Sequence, residues 1–153
     1  MGKTCAFFGH RKICYNNDLS KKITELVESL VIEKDVSNFI FGGFGEFDEL
    51  CHKIITSLQK KYLHIKRLYC VTDEKFLRES KRPKNLRKED YEQFIYFSPS
   101  FDYWYTRIYY RNCEIVENSQ FIIFYADNKK DSGAYKTLQY AKKRKKEYIN
   151  LFE

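Results

Sequence analysis

The chain has 153 residues, 43% of them hydrophobic and 18% aromatic, which is enough for one domain that folds around its own core. No apolar run approaches the ~20 residues a membrane helix needs, and Met1-Gly2-Lys3-Thr4 leads straight into a strand-like run, so neither a membrane span nor a signal peptide is expected. The net charge of +7 favours polyanions in general, but its excess lies in Lys75–Lys88 and Lys142–Lys146, which read as a solvated loop and a solvated helix end.

Thr4-Cys5-Ala6-Phe7-Phe8-Gly9 has the apolar run of a buried first strand that stops at a glycine. Gly9-His10-Arg11 forms the loop behind it, and Asn17 or Asp18 is placed to cap the helix that follows. Leu19, Ile23, Leu26, Val27 and Leu30 recur at helical spacing as far as about Lys34. Ser37–Phe41 is a second strand. Phe47, Leu50, Cys51, Ile54, Ile55 and Leu58 give a second helix an apolar face, ending near Tyr62.

Between that strand and helix lies Gly42-Gly43-Phe44-Gly45-Glu46-Phe47-Asp48. Glycines in such a turn let a ligand come close to the backbone. The helix start behind them offers unpaired N–H groups and the positive end of a dipole, a combination that suits a phosphate. A tight strand-to-helix turn that binds nothing is the plain alternative. Glu46 is awkward for a phosphate contact, because a carboxylate there would repel the anion.

Ile65–Val71 alternates as a third strand, and 72–92 is a charged stretch containing Pro83, either a long loop or a weak helix. Gln93–Phe97 is a fourth strand closed by Ser98-Pro99-Ser100. A third helix runs from about Trp104 to Asn118 with Trp104, Ile108, Cys113 and Ile115 inward. Phe121–Tyr125 is a fifth strand, Asp127–Asp131 a polar turn, and Ser132-Gly133 opens a fourth helix to about Lys146. Tyr148–Phe152 is the sixth strand.

Strands alternating with helices define an α/β domain with a mostly parallel sheet of five or six strands and helices on both faces. No linker divides it, so 1–153 is a single three-layer domain. Ligands in such sheets bind beyond the carboxyl ends of the strands. The loops at 9–11, 42–48 and 126–134 all fall there. Cys5, Cys14, Cys51, Cys70 and Cys113 are odd in number and lack C-x-x-C spacing, which reads as free thiols in a reducing cytoplasm. His10, His52 and His64 are scattered, so no metal site is expected.

Four short pieces, in order along nearly the whole chain, resemble the SLOG superfamily, the Rossmann-like group of LOG-type phosphoribohydrolases, DprA-type DNA-processing proteins and YpsA-like proteins. They are Phe8-Gly9-His10-Arg11, similar to the T-G-H-R of the YpsA-like branch; Gly42–Asp48, with Asp48 and His52 similar to the D-x-x-x-H of DprA; Arg111-Asn112 with Ile115-Val116; and Ser132-Gly133-Ala134 with Tyr140-Ala141-Lys142-Lys143. The YpsA-like branch is the closest match. Gly42–Glu49 also looks like the P-G-G-x-G-T-x-x-E of LOG enzymes, with Phe41 in place of the proline and Glu46 in place of the threonine.

The resemblance implies a Rossmann-like fold and a nucleotide-like small molecule held by Gly9, His10, Arg11, Gly42, Gly43, Gly45, Asp48, Arg111, Ser132 and Gly133, with no cofactor. Arg11 and Arg111 are suited to clamp a phosphate, and Asp48 to accept from ribose hydroxyls or to cap its helix. Through LOG enzymes it implies, as an alternative, a nucleoside-monophosphate N-glycosidase with Glu49 as the catalytic carboxylate. Through DprA it implies a DNA-binding module, the less favoured partner reading. Relatives often pair through helices, so the resemblance allows a homodimer without requiring one.

Overall fold

The computed structural model describes residues 2–43, 45–98, 106–128 and 132–152. Six strands form one sheet: β1 (Lys3–Gly9), β2 (Val36–Phe41), β3 (Lys66–Cys70), β4 (Gln93–Ile95), β5 (Phe121–Tyr125) and β6 (Glu147–Asn150). Their order across the sheet is β4-β3-β2-β1-β5-β6, and every neighbouring pair is parallel. The helices are α1 (Asn17–Glu33), α2 (Glu46–Leu58), α3 (Arg107–Glu117) and α4 (Gly133–Lys143). This is the α/β architecture expected from the alternation of elements, with two layers of helix around one sheet.

Strand alternation sorts the core into two halves. Cys5, Phe7, Phe39 and Phe41 pack with α1 and α2. Ala6, Phe8, Ile40 and Phe124 point the other way and pack with α3 and α4. Phe7 stacks on Phe41 and on Phe39, with ring centroids 5.2 and 6.0 Å apart. β1 is central and buried on both faces, which is why it reads as a continuous apolar run.

The α1 cap is Asn16, one residue before the position expected. Its side chain accepts from Leu19 N–H at 2.7 Å, the donor three residues on, where the apolar stripe begins. Residues 72–92 are neither a plain loop nor an α-helix. They contain three short 3₁₀ turns, at Glu74–Leu77, Glu79–Lys81 and Lys88–Asp90. Arg67 ties this stretch to the sheet, donating to both carboxylate oxygens of Glu92, to Thr56 Oγ1 and to the Glu89 carbonyl. β4 is shorter than expected, ending at Ile95. The expected start of the third helix at Trp104, with Pro99 and Ser100 before it, lies outside the described residues. All five cysteines are free thiols, four of them buried. Among the described residues no helix is long and apolar enough to cross a membrane.

The chain leaves β1 for α1 on one face of the sheet and leaves β5 for α4 on the other. Strand order therefore reverses between β1 and β5, which lie side by side with Gly9 opposite Tyr125. The carboxyl ends of these two strands define the crevice where such sheets accept ligands.

Candidate functional site

A cavity of about 530 Å³ opens at this point. Its walls are the loop after β1 (Gly9, His10, Arg11, Lys12), the turn after β2 (Gly42, Gly43), Asp48 of α2, Arg111 and Asn112 of α3, and the start of α4 (Ser132, Gly133). The structure thus brings together nine of the ten residues expected to hold a ligand. The tenth, Gly45, stands just behind the wall and shapes it. Its φ of +148° with ψ of 177° suits only glycine, and a Cβ there would come within 2.7 Å of Arg11 Cα.

Glu46 faces away from the cavity, so the expected repulsion of an anion does not arise. Its backbone N–H donates to the Arg11 carbonyl at 2.8 Å, and its carboxylate accepts from Ile13 N–H at 2.8 Å. Two side-by-side loops are pinned together by one residue. Glu49 is exposed and borders a separate shallow groove with Ile13, Tyr15 and Lys53. The structure does not bring it to the cavity.

Asp48 takes the inward place instead. It is 8% exposed, and its Oδ1 has no hydrogen-bond partner among the described residues. It does not cap α2. Burial pushes its carboxyl up from 3.8 to about 7, while Arg111 pulls in the opposite direction and Glu49 adds to the rise. Asp48 lines the cavity, and a carboxyl there can accept from a hydroxyl or, when protonated, donate to an oxyanion.

Arg111 is partly buried and already held. Its Nη2 donates to Asn112 Oδ1 at 3.0 Å, and its guanidinium lies so close to Gly42 that a Cβ there would sit 3.1 Å away. Asn112 in turn donates to Thr137 Oγ1, which donates to the Gly133 carbonyl. A chain of side chains thus fixes the cation against α4. Arg111 does not pair with Glu114, and Arg107 is drawn off to Asp73. Burial lowers the Arg111 pKa, and Tyr69, Cys70 and Asp48 restore part of it.

His10 is buried, and its Nε2 accepts from Asp127 N–H at 2.7 Å, so this nitrogen joins the β1 and β5 loops. Arg11 is exposed. Ser132 caps α4, accepting from Tyr135 N–H at 3.1 Å. No atom of the described residues lies within 4 Å of the place where a Gly133 side chain would begin. Ser132, Gly133 and Ala134 at the start of α4 line the cavity, at the positive end of an 11-residue helix.

Asn112 was not among the expected ligand-binding residues. Its signal was present: it stands four residues after Ile108 and three before Ile115 on an otherwise apolar stripe, and a polar residue there needs a partner. Lys12, Ile108 and Ala134 also line the cavity. The aromatics Tyr103, Trp104 and Tyr105 lie outside the described residues.

No known protein-family model matches the sequence, and no curated protein sequence matches it. Among solved structures the chain is similar to DNA processing protein A (DprA) from Streptococcus pneumoniae, with a TM-score of 0.63 and 16% sequence identity. The match covers 96% of this chain and 49% of that one, so the chain spans about half the length of the DprA structure. The likeness is one of fold: a Rossmann-like α/β domain, as the six parallel strands define it.

Proposed function

We propose that the cavity binds a nucleotide or nucleotide derivative, with a phosphate at the start of α4 and Arg11, and a sugar hydroxyl on Asp48. The observation that carries this reading is the pairing of opposite requirements in one space. The α4 amides, Arg11 and Lys12 ask for an anion. Asp48 lines the same space, its carboxyl largely buried and its Oδ1 without a partner among the described residues, and a carboxyl there suits a hydrogen-bond donor on the ligand. A sugar phosphate brings both on one molecule. Inorganic phosphate brings only the first.

The YpsA-like relationship and the small-molecule partner belong to this reading. Thermal unfolding with saturating nucleoside phosphates tests it, since a ligand that binds only the folded state raises its stability by ~2.7 kcal/mol at a hundredfold excess over Kd. No upward shift in Tm with any nucleoside mono- or polyphosphate refutes it. Hydrolysis of an N-glycosidic bond by Glu49 is not favoured, because that carboxylate borders another groove.

A DNA-binding role has one observation in its favour, the fold shared with a DNA-processing protein. The segment 75–88 supplies exposed Lys75, Arg78, Lys81 and Lys84, but Arg82 is tied to the Phe76 and Leu77 carbonyls and Lys88 to Glu79. Binding of single strands that weakens steeply with salt would support that role.

A further inference from the structure

The cavity does not close at α4. Ile108, Asn112 and Gly133 line it on one side and on the other line a second depression of about 490 Å³ between α3 and α4. The α4 wall of this groove is one stripe, in which Gly133, Lys136, Tyr140 and Lys143 follow at helical spacing. At 1.5 Å per residue the stripe runs about 15 Å from Gly133 to Lys143. α3 contributes Tyr109 opposite. Every charged residue among the described lining of the groove is a lysine, and the ridge between the two spaces is Ile108, 54% exposed.

We propose that this groove is the second half of the binding site and takes a second nucleotide unit, joined through a phosphodiester to the nucleotide in the first cavity. The inference rests on the reading given under Proposed function. The shared lining makes the two spaces continuous, and the start of α4 opens into both, so the phosphate received there can be the linking group. Tyr109 and Tyr140 offer ring surface for a base, a contact that tolerates any base because each has a π-face. Lys143 matches further phosphate along the stripe beside Lys136, and among the described lining residues there is no carboxylate. The volume lies within the ~300–1,000 Å³ typical of small-molecule sites. An apolar ridge left exposed between two polar hollows gains a partner when a ligand crosses it.

The test is calorimetric titration of the whole chain with AMP, with the 5′-phosphorylated dinucleotide pApA, and with a 5′-phosphorylated oligodeoxyadenylate of about ten residues. pApA is expected to bind at least ~tenfold tighter than AMP, the effect of one added charge-assisted contact. In Lys143→Glu the ratio should fall to about twofold or less, and in Lys143→Arg it should persist; circular dichroism checks that both variants fold. If the oligonucleotide binds more tightly than pApA, the source of the second unit is a strand end. Equal affinity makes it a free dinucleotide. Equal affinity for AMP and pApA, or a pApA advantage that survives Lys143→Glu, overturns the inference and leaves the first cavity's role standing. If none of the three ligands binds, this inference falls, and the thermal-shift screen with the other nucleoside phosphates decides the first cavity's role.

Discussion

Asp48→Asn isolates the cost of keeping a carboxylate in the cavity wall. The Asp48 carboxyl is raised from 3.8 to about 7, first by burial, with Arg111 opposing and Glu49 adding. Between these two values the folded state holds a proton that the unfolded state has released. The contribution is therefore fully present below pH 3.8, falls as pH rises, and is gone above about 7. At ~1.36 kcal/mol per pH unit, the rise from pH 5 to pH 7 removes roughly 3 kcal/mol from the wild type. The amide that replaces the carboxyl in this variant does not titrate. Any constant cost of burying it cancels when one compares two pH values. Urea unfolding followed by circular dichroism at pH 5 and pH 8 reads the difference. The variant should gain roughly 3 kcal/mol on the wild type between the two. Parallel behaviour at both pH values refutes the placement of an unpartnered carboxyl at this position.

Other expectations follow from the same geometry. Arg11→Ala should leave stability within ~0.5 kcal/mol, since the side chain is exposed, and should abolish most of the nucleotide-induced rise in Tm. Glu49→Ala, read by the same thermal shift, should leave that rise unchanged. Gly133→Ala meets no described atom within 4 Å and removes freedom from the unfolded chain, so it should stabilise by ~0.4–1 kcal/mol while weakening ligand binding. Glu92→Ala removes the carboxylate partner of the buried Arg67, which keeps Thr56 and the Glu89 carbonyl, and should destabilise by ~1–3 kcal/mol in urea unfolding.

How much of this was legible in the sequence varies with the length over which a signal is averaged. β1 and β5 are buried on both faces, so their apolar runs are unambiguous, and the stripes of α1 and α2 repeat over several turns. β4 and β6 are short edge strands with half-exposed residues, and their ends blur. Residues 72–92 follow no long period because their turns are local, each closed by its own bond, such as Phe76 N–H to the Asp73 carbonyl. Strand order left no trace in any one segment. The expectation of a shared edge for three loops came from a rule about parallel sheets, and the side-by-side pairing of β1 with β5 made it concrete.

At the site, the choice between Asp48 and Glu49 was open to reading. Asp48 stands three residues before Cys51 and seven before Ile55, on the buried stripe, whereas Glu49 shares the polar side with Glu46 and Lys53. The LOG-like motif pointed to Glu49 and the DprA-like one to Asp48; the rotation of the helix favours Asp48. The role of Glu46 could not be read, because its partner is a backbone amide 33 positions away.

The bond between the two glycine-lined loops has a consequence for how such a pocket can change over time. Gly45 touches Arg11 only through backbone and stem atoms, and Glu46 reaches only the Arg11 carbonyl and the Ile13 amide. What is held on the 11–13 side is main chain, gripped by the Glu46 amide and the Glu46 carboxylate. Position 45 is thus barred to every residue with a side chain, while position 11 can exchange its outer atoms without disturbing what fixes the loop. The frame is conservative and the surface it presents is substitutable. A single replacement at position 11 could redirect the pocket to a different anion and still inherit a rigid wall.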